Sequence, residues 1–322
     1  MQQANDKKRS PLISVITLSY NSEYLMESIR SVLRQTYENI QYVIVDDGSK
    51  EFDEQEIIHY LDSHKGNNLR EYSVLVNRQN QGTVKAFNRA LRQSKGDYVF
   101  NLSADDLFYD PHVLEEWVSE FERRDSLCMM GQMAVYSQDL KTFKGMLPHP
   151  QEAQLLETGD TESIFEAMTR GNFIIGCSTA RSRKVLEQYG YFDESYFLLE
   201  DYPYALRLLR EKVCIDYWAR PVVRYRQGGV SAPQNFNRIY ERDSDLNFKK
   251  EILPYVRYPL KAVARYYCWK FGRIERGKFL KQYQAMRDQK RLYLVPLLCL
   301  RYPILIIRGV NNRIVKMIRG KQ

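Results

Sequence analysis

The sequence predicts an α/β fold, a mostly parallel Rossmann-like sheet covered by helices and followed by a basic helical C-terminal extension. Three observations predict it. Short β-branched apolar runs alternate with amphipathic repeats of helical period through the first 121 residues. Each run ends in a cluster of Ser, Asn, Asp or Gly, residues that favour tight turns. Charge is split along the chain: residues 249–322 carry 19 Lys and Arg against 3 Asp and Glu, and the rest carry 29 against 37.

Leu12–Leu18 reads as the first strand and stops at Ser19-Tyr20-Asn21, after which Leu25, Ile29, Val32 and Leu33 recur at helical spacing. Ile40–Val45 is the second strand, closed by Asp46-Asp47-Gly48-Ser49, and a polar helix carrying Ile57, Ile58 and Leu61 follows. Tyr72–Val76 is the third, and Asn80-Gln81-Gly82 then opens a helix with the apolar face Val84, Phe87 and Leu91. Tyr98–Leu102 is the fourth, ending in Ser103-Ala104-Asp105-Asp106, and Val113, Leu114, Trp117, Val118 and Phe121 form the next helix. Further on, Glu200-Asp201 opens a helix that packs through Ala205, Leu206, Leu208 and Leu209. Strands alternating with helices at this spacing make a parallel sheet, whose ligands bind beyond the carboxyl ends of the strands. Those ends carry Tyr20, Asp47 and the Asp105-Asp106 pair.

A hydrophobic content of 44% supplies a core, and 27% charged residues is ordinary, which excludes a largely disordered or fibrous chain. The five cysteines are odd in number and scattered singly. They make neither a disulfide framework nor a CxxC zinc site, and they suit a reducing compartment. His59 and His64 lack cysteine partners for zinc. The first apolar run is too short for a signal-peptide core, so a cytoplasmic chain is expected.

Neither GxGxxG nor GxxxxGK[ST] follows the first strand, so nucleotide phosphates would need another counter-charge. Asp105-Asp106 repels a diphosphate directly. A divalent cation between them reconciles the two, since Mg²⁺ takes one or two carboxylates plus phosphate oxygens. A solvated turn is the other reading of that pair, and Asp-Gly punctuation is the other reading of Asp46-Asp47-Gly48. Glu200-Asp201 stands where the helix macrodipole favours acids. A catalytic carboxylate would use the same place to take a proton from a bound hydroxyl.

These segments together resemble the family 2 glycosyltransferases, inverting enzymes with a GT-A fold. The blocks that carry the resemblance are Ser14–Asn21, Ser28–Tyr37, Val45–Ser49, Asn80-Gln81-Gly82 with Asn88, Lys95–Tyr98 leading to Asp105-Asp106, and Gly190–Glu194 running into Glu200-Asp201. The resemblance implies that Leu18 and Tyr20 line the base pocket and that Asp47 accepts from a pyrimidine N–H. It implies that Asp106, with its DXD-like neighbour Asp105 nearer the donor sugar, holds Mg²⁺ or Mn²⁺. Asp201 matches the general base, and Glu200 orients it or the acceptor. Gly82 opens the donor-side helix; Lys85 just after it is either a phosphate contact or an exposed helix lysine. Many relatives carry a histidine near a Gly-Gly-x-Ser loop, where this chain has Gln227, so metal binding is weaker or Arg224 and Arg226 handle the diphosphate. No Gln-x-x-Arg-Trp motif is present, which implies one sugar transferred per encounter.

The extension contains Leu292–Ile307, too short and too interrupted by Pro296, Arg301 and Pro303 to span a bilayer. Flanked by Lys290, Arg291, Arg308, Arg313, Lys316 and Arg319, it reads as an interfacial segment on anionic lipid. A buried helical hairpin or a homo-oligomer contact is the alternative. Apolar residues among the charges argue against a nucleic-acid partner. Nucleotidyl transfer would need a Gly-rich basic loop after the first strand. Gly176-Cys177-Ser178-Thr179-Ala180 is no GxSxG elbow, and reads as a small-residue turn beneath the acceptor site.

The expected organisation is a flexible leader over 1–11, a GT-A domain over 12–235 (nucleotide-binding half 12–110, acceptor half 111–235), and a basic, helical, membrane-associating extension over 236–322. The implied reaction moves a sugar from a UDP- or dTDP-sugar to a glycan or lipid-linked glycan at the inner face of the cell membrane. The alternative is a catalytically inactive, membrane-attached scaffold that still binds nucleotide sugar.

Overall fold

The computed structural model describes residues 10–228 and 237–288. Most of the leader, the Gly229-Val230-Ser231 part of the glycine loop, and the apolar run Leu292–Ile307 with its basic flanks lie outside the described residues. The chain divides into two compact units, residues 1–227 with 243–252, and residues 228–242 with 253–322.

The first unit is the α/β fold that the sequence predicts. It begins β1 (Ile13–Ser19), α1 (Leu25–Leu33), β2 (Ile40–Asp46), α2 (Glu54–His64), β3 (Leu69–Val76), α3 (Thr83–Gln93), β4 (Tyr98–Asn101). It continues β5 (Leu107–Phe108), α4 (Val113–Arg124), β6 (Cys128–Tyr136), β7 (Phe143–Leu147), α5 (Pro150–Glu157), α6 (Thr161–Met168), β8 (Thr179–Ser182), α7 (Arg183–Tyr189), α8 (Asp201–Arg210) and β9 (Asp216–Arg226). Then comes α9 (Arg238–Asn247), whose residues from Asp243 onward belong to this unit. The second unit contains α10 (Pro259–Asp288). Among the described residues, no helix is long and apolar enough to cross a membrane.

The sheet runs β3-β2-β1-β4-β8-β6-β9-β5, with β7 on the flank of β6. β3, β2, β1 and β4 are mutually parallel, as helical crossovers require. β8 pairs antiparallel with both β4 and β6, while β6 and β9 are parallel. The strands of this second half lack the plain alternation with helices, and reading period alone does not find them. β1 and β2 are buried on both faces, which explains their near-continuous apolar sequence. Because β1 leads outward to β2 and β4 returns on its other side, a crevice opens beyond the carboxyl ends of β1 and β4.

The core beneath that crevice centres on Trp117 of α4, fully buried. Its ring meets Phe100 edge-on at 4.9 Å and Trp218 at 5.6 Å, and stacks towards Phe121 at 6.4 Å. The indole Nε1 has no acceptor, so this residue contributes packing alone. Trp117→Ala is therefore expected to cost about 3–5 kcal/mol in urea unfolding. Trp117→Phe, which gives up no hydrogen bond, should cost clearly less.

Candidate active site

At the mouth of the crevice two turns are laced together. Asp47 N–H donates to the Ser19 carbonyl at 2.8 Å, Asn21 N–H to Ser49 Oγ at 2.7 Å, and Lys50 N–H to Asn21 Oδ1 at 3.0 Å. Asp46 holds the same turn from within, accepting from Gly48 and Ser49 N–H at 3.1 and 2.9 Å. The Asp47 carboxylate accepts from Asn77 Nδ2 at 2.7 Å, Gln81 N–H at 2.9 Å and Gly82 N–H at 2.8 Å. A carboxylate has about four acceptor sites, so one is left for a ligand. Tyr20 is 53% exposed beside it, and Leu18 is partly buried. Lys85 is exposed on the first turn of α3.

The acidic pair after β4 is held differently. Asp106 is fully buried; Oδ1 accepts the Arg226 backbone N–H at 3.0 Å, and among the described residues Oδ2 has no hydrogen-bond partner. Burial and then the charge of Asp105 push its carboxyl well above the ordinary range. Asp105 is raised too, chiefly by burial. A buried carboxylate oxygen left unsatisfied is costly, and a divalent cation would satisfy it while favouring ionisation. Among the described residues no three His, Cys, Asp or Glu side chains are grouped so that they could hold a metal ion by themselves. The donor set thus fits a hard ion that takes one or two carboxylates here and its other oxygens from substrate and water.

Arg226 is committed to the scaffold. Its guanidinium donates to the carbonyls of Asp105 and Gln138, each at 2.7 Å, and to Glu27, and it lies 4.0 Å over the Tyr24 ring. Arg224 donates to the Tyr109 carbonyl at 3.0 Å. The expectation that these arginines handle a diphosphate therefore does not hold for Arg226, which braces the acidic turn instead. Gln227 is exposed.

Glu200 and Asp201 open α8. Asp201 accepts from Tyr202 N–H at 2.6 Å, Gly176 N–H at 3.0 Å and Asn172 Nδ2 at 3.2 Å. Burial raises its carboxyl and these donors oppose the rise. Glu200 has no such donors from other residues; burial, then the charge of Asp201, pushes it to about 8. The three donors thus favour the ionised form of Asp201 over that of Glu200. Gly176 fits because a Cβ there would stand 3.1 Å from Asp201 Cβ. Cys177, next in that turn, is buried, and its thiol is pushed well above its usual value by burial, then by Asp106, Asp201, Asp105 and Glu200. Both acidic pairs therefore converge on one thiol.

A loop joins the two sides. The Phe197 carbonyl accepts Val84 N–H at 3.3 Å, and Gly82 (φ +87°) leaves no room for a Cβ, which would lie 2.5 Å from that oxygen. Phe197, Leu198 and Leu199 N–H groups all point at Asp243 Oδ2, at 2.8, 2.6 and 3.4 Å. Asn88 exchanges hydrogen bonds with the Phe192 backbone, at 2.8 and 3.1 Å. Sequence reading missed Asn172, Asn77 and Asp243, and it gave Arg226 a different role. Only Asn77, directly after a strand end, carries a local signal; Asp243 is 44 or more residues from the groups it holds.

The model of the glycosyl transferase family 2 matches residues 14–190. An uncharacterized glycosyltransferase of Rickettsia typhi is 30% identical over 202 residues, 62% of this chain and 59% of that protein. One of Haemophilus influenzae is 26% identical over 262 residues, 76% of this chain and 74% of the other. The chain thus spans less than two thirds of the Rickettsia relative. Among solved structures, Staphylococcus aureus TarS 1–349 in complex with UDP-GlcNAc superposes with a TM-score of 0.52 at 17% identity, over 89% of this chain and 90% of that one. That likeness is one of fold.

The Glu200 shift has a consequence for stability. Folded Glu200 keeps a proton that the unfolded chain releases near its ordinary 4.5, so stability is full below that pH and falls as pH rises towards about 8. Glu200→Gln should lessen the fall in Tm between about pH 5 and pH 8. An unchanged slope would assign the fall to other groups.

Proposed function

The chain belongs to glycosyl transferase family 2, and on that premise we propose that it moves one sugar from a UDP- or dTDP-sugar to a hydroxyl of a glycan or lipid-linked glycan, inverting the anomeric centre. The observation that carries this reading is the meeting of two acidic pairs, one with an unsatisfied buried oxygen and one in which three donors converge on Asp201.

In this reading the exposed Tyr20 ring, beside Leu18, stacks on the base. The remaining acceptor site on Asp47 takes the pyrimidine N–H, and Lys85 reaches towards the phosphates. Asp106, with Asp105 beside it, would hold Mg²⁺ or Mn²⁺, which when bound neutralises charge on the departing diphosphate. Asp201 takes the proton from the acceptor hydroxyl as its oxygen attacks the anomeric carbon. Neutral Glu200 donates a hydrogen bond towards the acceptor rather than competing for that proton. A single in-line displacement inverts the centre. The UDP-GlcNAc complex of the TarS neighbour supports a nucleotide-sugar donor. The basic C-terminal extension supports an acceptor at the inner, anionic face of the cell membrane.

Isothermal titration over a panel of nucleotide sugars, with Mg²⁺ or Mn²⁺, tests the reading together with transfer assays. Asp106→Ala should lose metal-dependent donor binding. Asp201→Asn should bind donor as the wild type does while transfer falls by about 10²–10⁴-fold. Undiminished transfer by Asp201→Asn would remove it as the base. Failure of every donor with either metal would favour the inactive scaffold.

A further inference from the structure

Helix α10 turns its apolar stripe outward. Over its first four turns the exposed positions include Leu260, Ala264, Tyr267, Cys268 and Phe271, spaced i, i+4, i+7, i+8 and i+11, which is one face of a helix. Leu260 is 86% exposed and Phe271 57%, and the Tyr267 and Phe271 rings stand 6.2 Å apart along the stripe. The buried position on this stretch is the small Ala262. A helix at home in water presents the opposite arrangement, apolar side inward and charge outward.

The charges are ordered around the stripe. At 3.6 residues per turn, Lys261 stands about 100° to one side of Leu260 and Lys270 about 80° to the other. Exposed Arg257, Tyr255 and Tyr258 precede the helix. No Asp or Glu occurs between Glu251 and Glu275. An apolar stripe bracketed by cations, in a stretch of sequence without an acidic residue, selects among occupants. A second copy docked face to face would set lysines against lysines. A nucleic acid would meet the lysines and leave Leu260 and Phe271 in water. An anionic bilayer takes both: the stripe enters the acyl boundary while the lysines reach the headgroups.

We propose that the face of α10 carrying Leu260, Tyr267 and Phe271, flanked by Lys261 and Lys270, is a docking surface for an anionic lipid bilayer. This deepens the reading of the chain as acting at a membrane, and it assigns the contact to α10 rather than to Leu292–Ile307 alone.

The full-length chain is floated with phosphatidylcholine vesicles with and without phosphatidylglycerol. The wild type should float with the anionic vesicles. The triple variant Leu260→Ser, Tyr267→Ser, Phe271→Ser should bind them at least about tenfold more weakly. Lys261→Glu with Lys270→Glu should lose the preference for phosphatidylglycerol, also by about tenfold or more. Both should keep wild-type Tm and donor hydrolysis, and if the triple variant melts early the lysine pair decides. Leu298→Ser with Leu305→Ser, in the distal apolar run, separates the two ideas. If only this tail variant loses vesicle binding, the α10 surface is overturned and the membrane reading survives. If the wild type floats with neither vesicle, both fall. If the α10 variants change DNA binding or self-association but not flotation, the surface belongs to that other partner and the proposal is overturned.

Discussion

Taking a carboxylate out of water costs several kcal/mol unless something fixed repays it, and here Asp105, Asp106, Glu200 and Asp201 all bear on the thiol of Cys177. Much of the surrounding structure answers that constraint. β9 brings Arg226, whose backbone N–H holds Asp106 and whose guanidinium braces the Asp105 carbonyl. The turn at Gly176 and the start of α8 give Asp201 its donors. Buried Arg181 on β8 lowers both Glu200 and Asp201 from across the strand. Among the described residues of these two acidic pairs, Asp106 Oδ2 is a buried oxygen without a hydrogen-bond partner.

The same economy links the Asp47 turn to the start of α8. Asp47 holds Gly82, Gly82 admits the Phe197 carbonyl that receives Val84, and Asp243 gathers the three N–H groups that lead into Glu200. The Asp47 turn is therefore linked to the start of α8 through hydrogen bonds rather than through loose packing.

The first four strands and their turns were legible because a parallel sheet writes itself as apolar runs closed by Asp, Asn and Gly. Asp47, Asp105 and Asp106 stand at such closures and Asp201 at a helix start, where position alone gives an acid a reason to be examined. The third strand starts three residues earlier than its apolar run, at Leu69 rather than Tyr72, because Leu69 and Glu71 still pair with β2 around an irregularity at Arg70. The antiparallel strands β8 and β5 are only four and two residues long, too short for a period to register. The bracing roles of Arg226 and Asp243 were illegible for another reason. Each acts on backbone groups far away in sequence, and only folding makes those neighbours.

The burial that tunes the acids also sorts the thiols. Cys128, Cys177 and Cys214 are all pushed up, Cys128 and Cys214 to about 11, so at neutral pH they carry little of the thiolate that reagents and oxidants attack. Cys268 is exposed on the outward stripe of α10. Among the described residues, the native chain thus has one readily addressed position for a fluorophore or spin label, and it lies on the surface whose surroundings such a label would report.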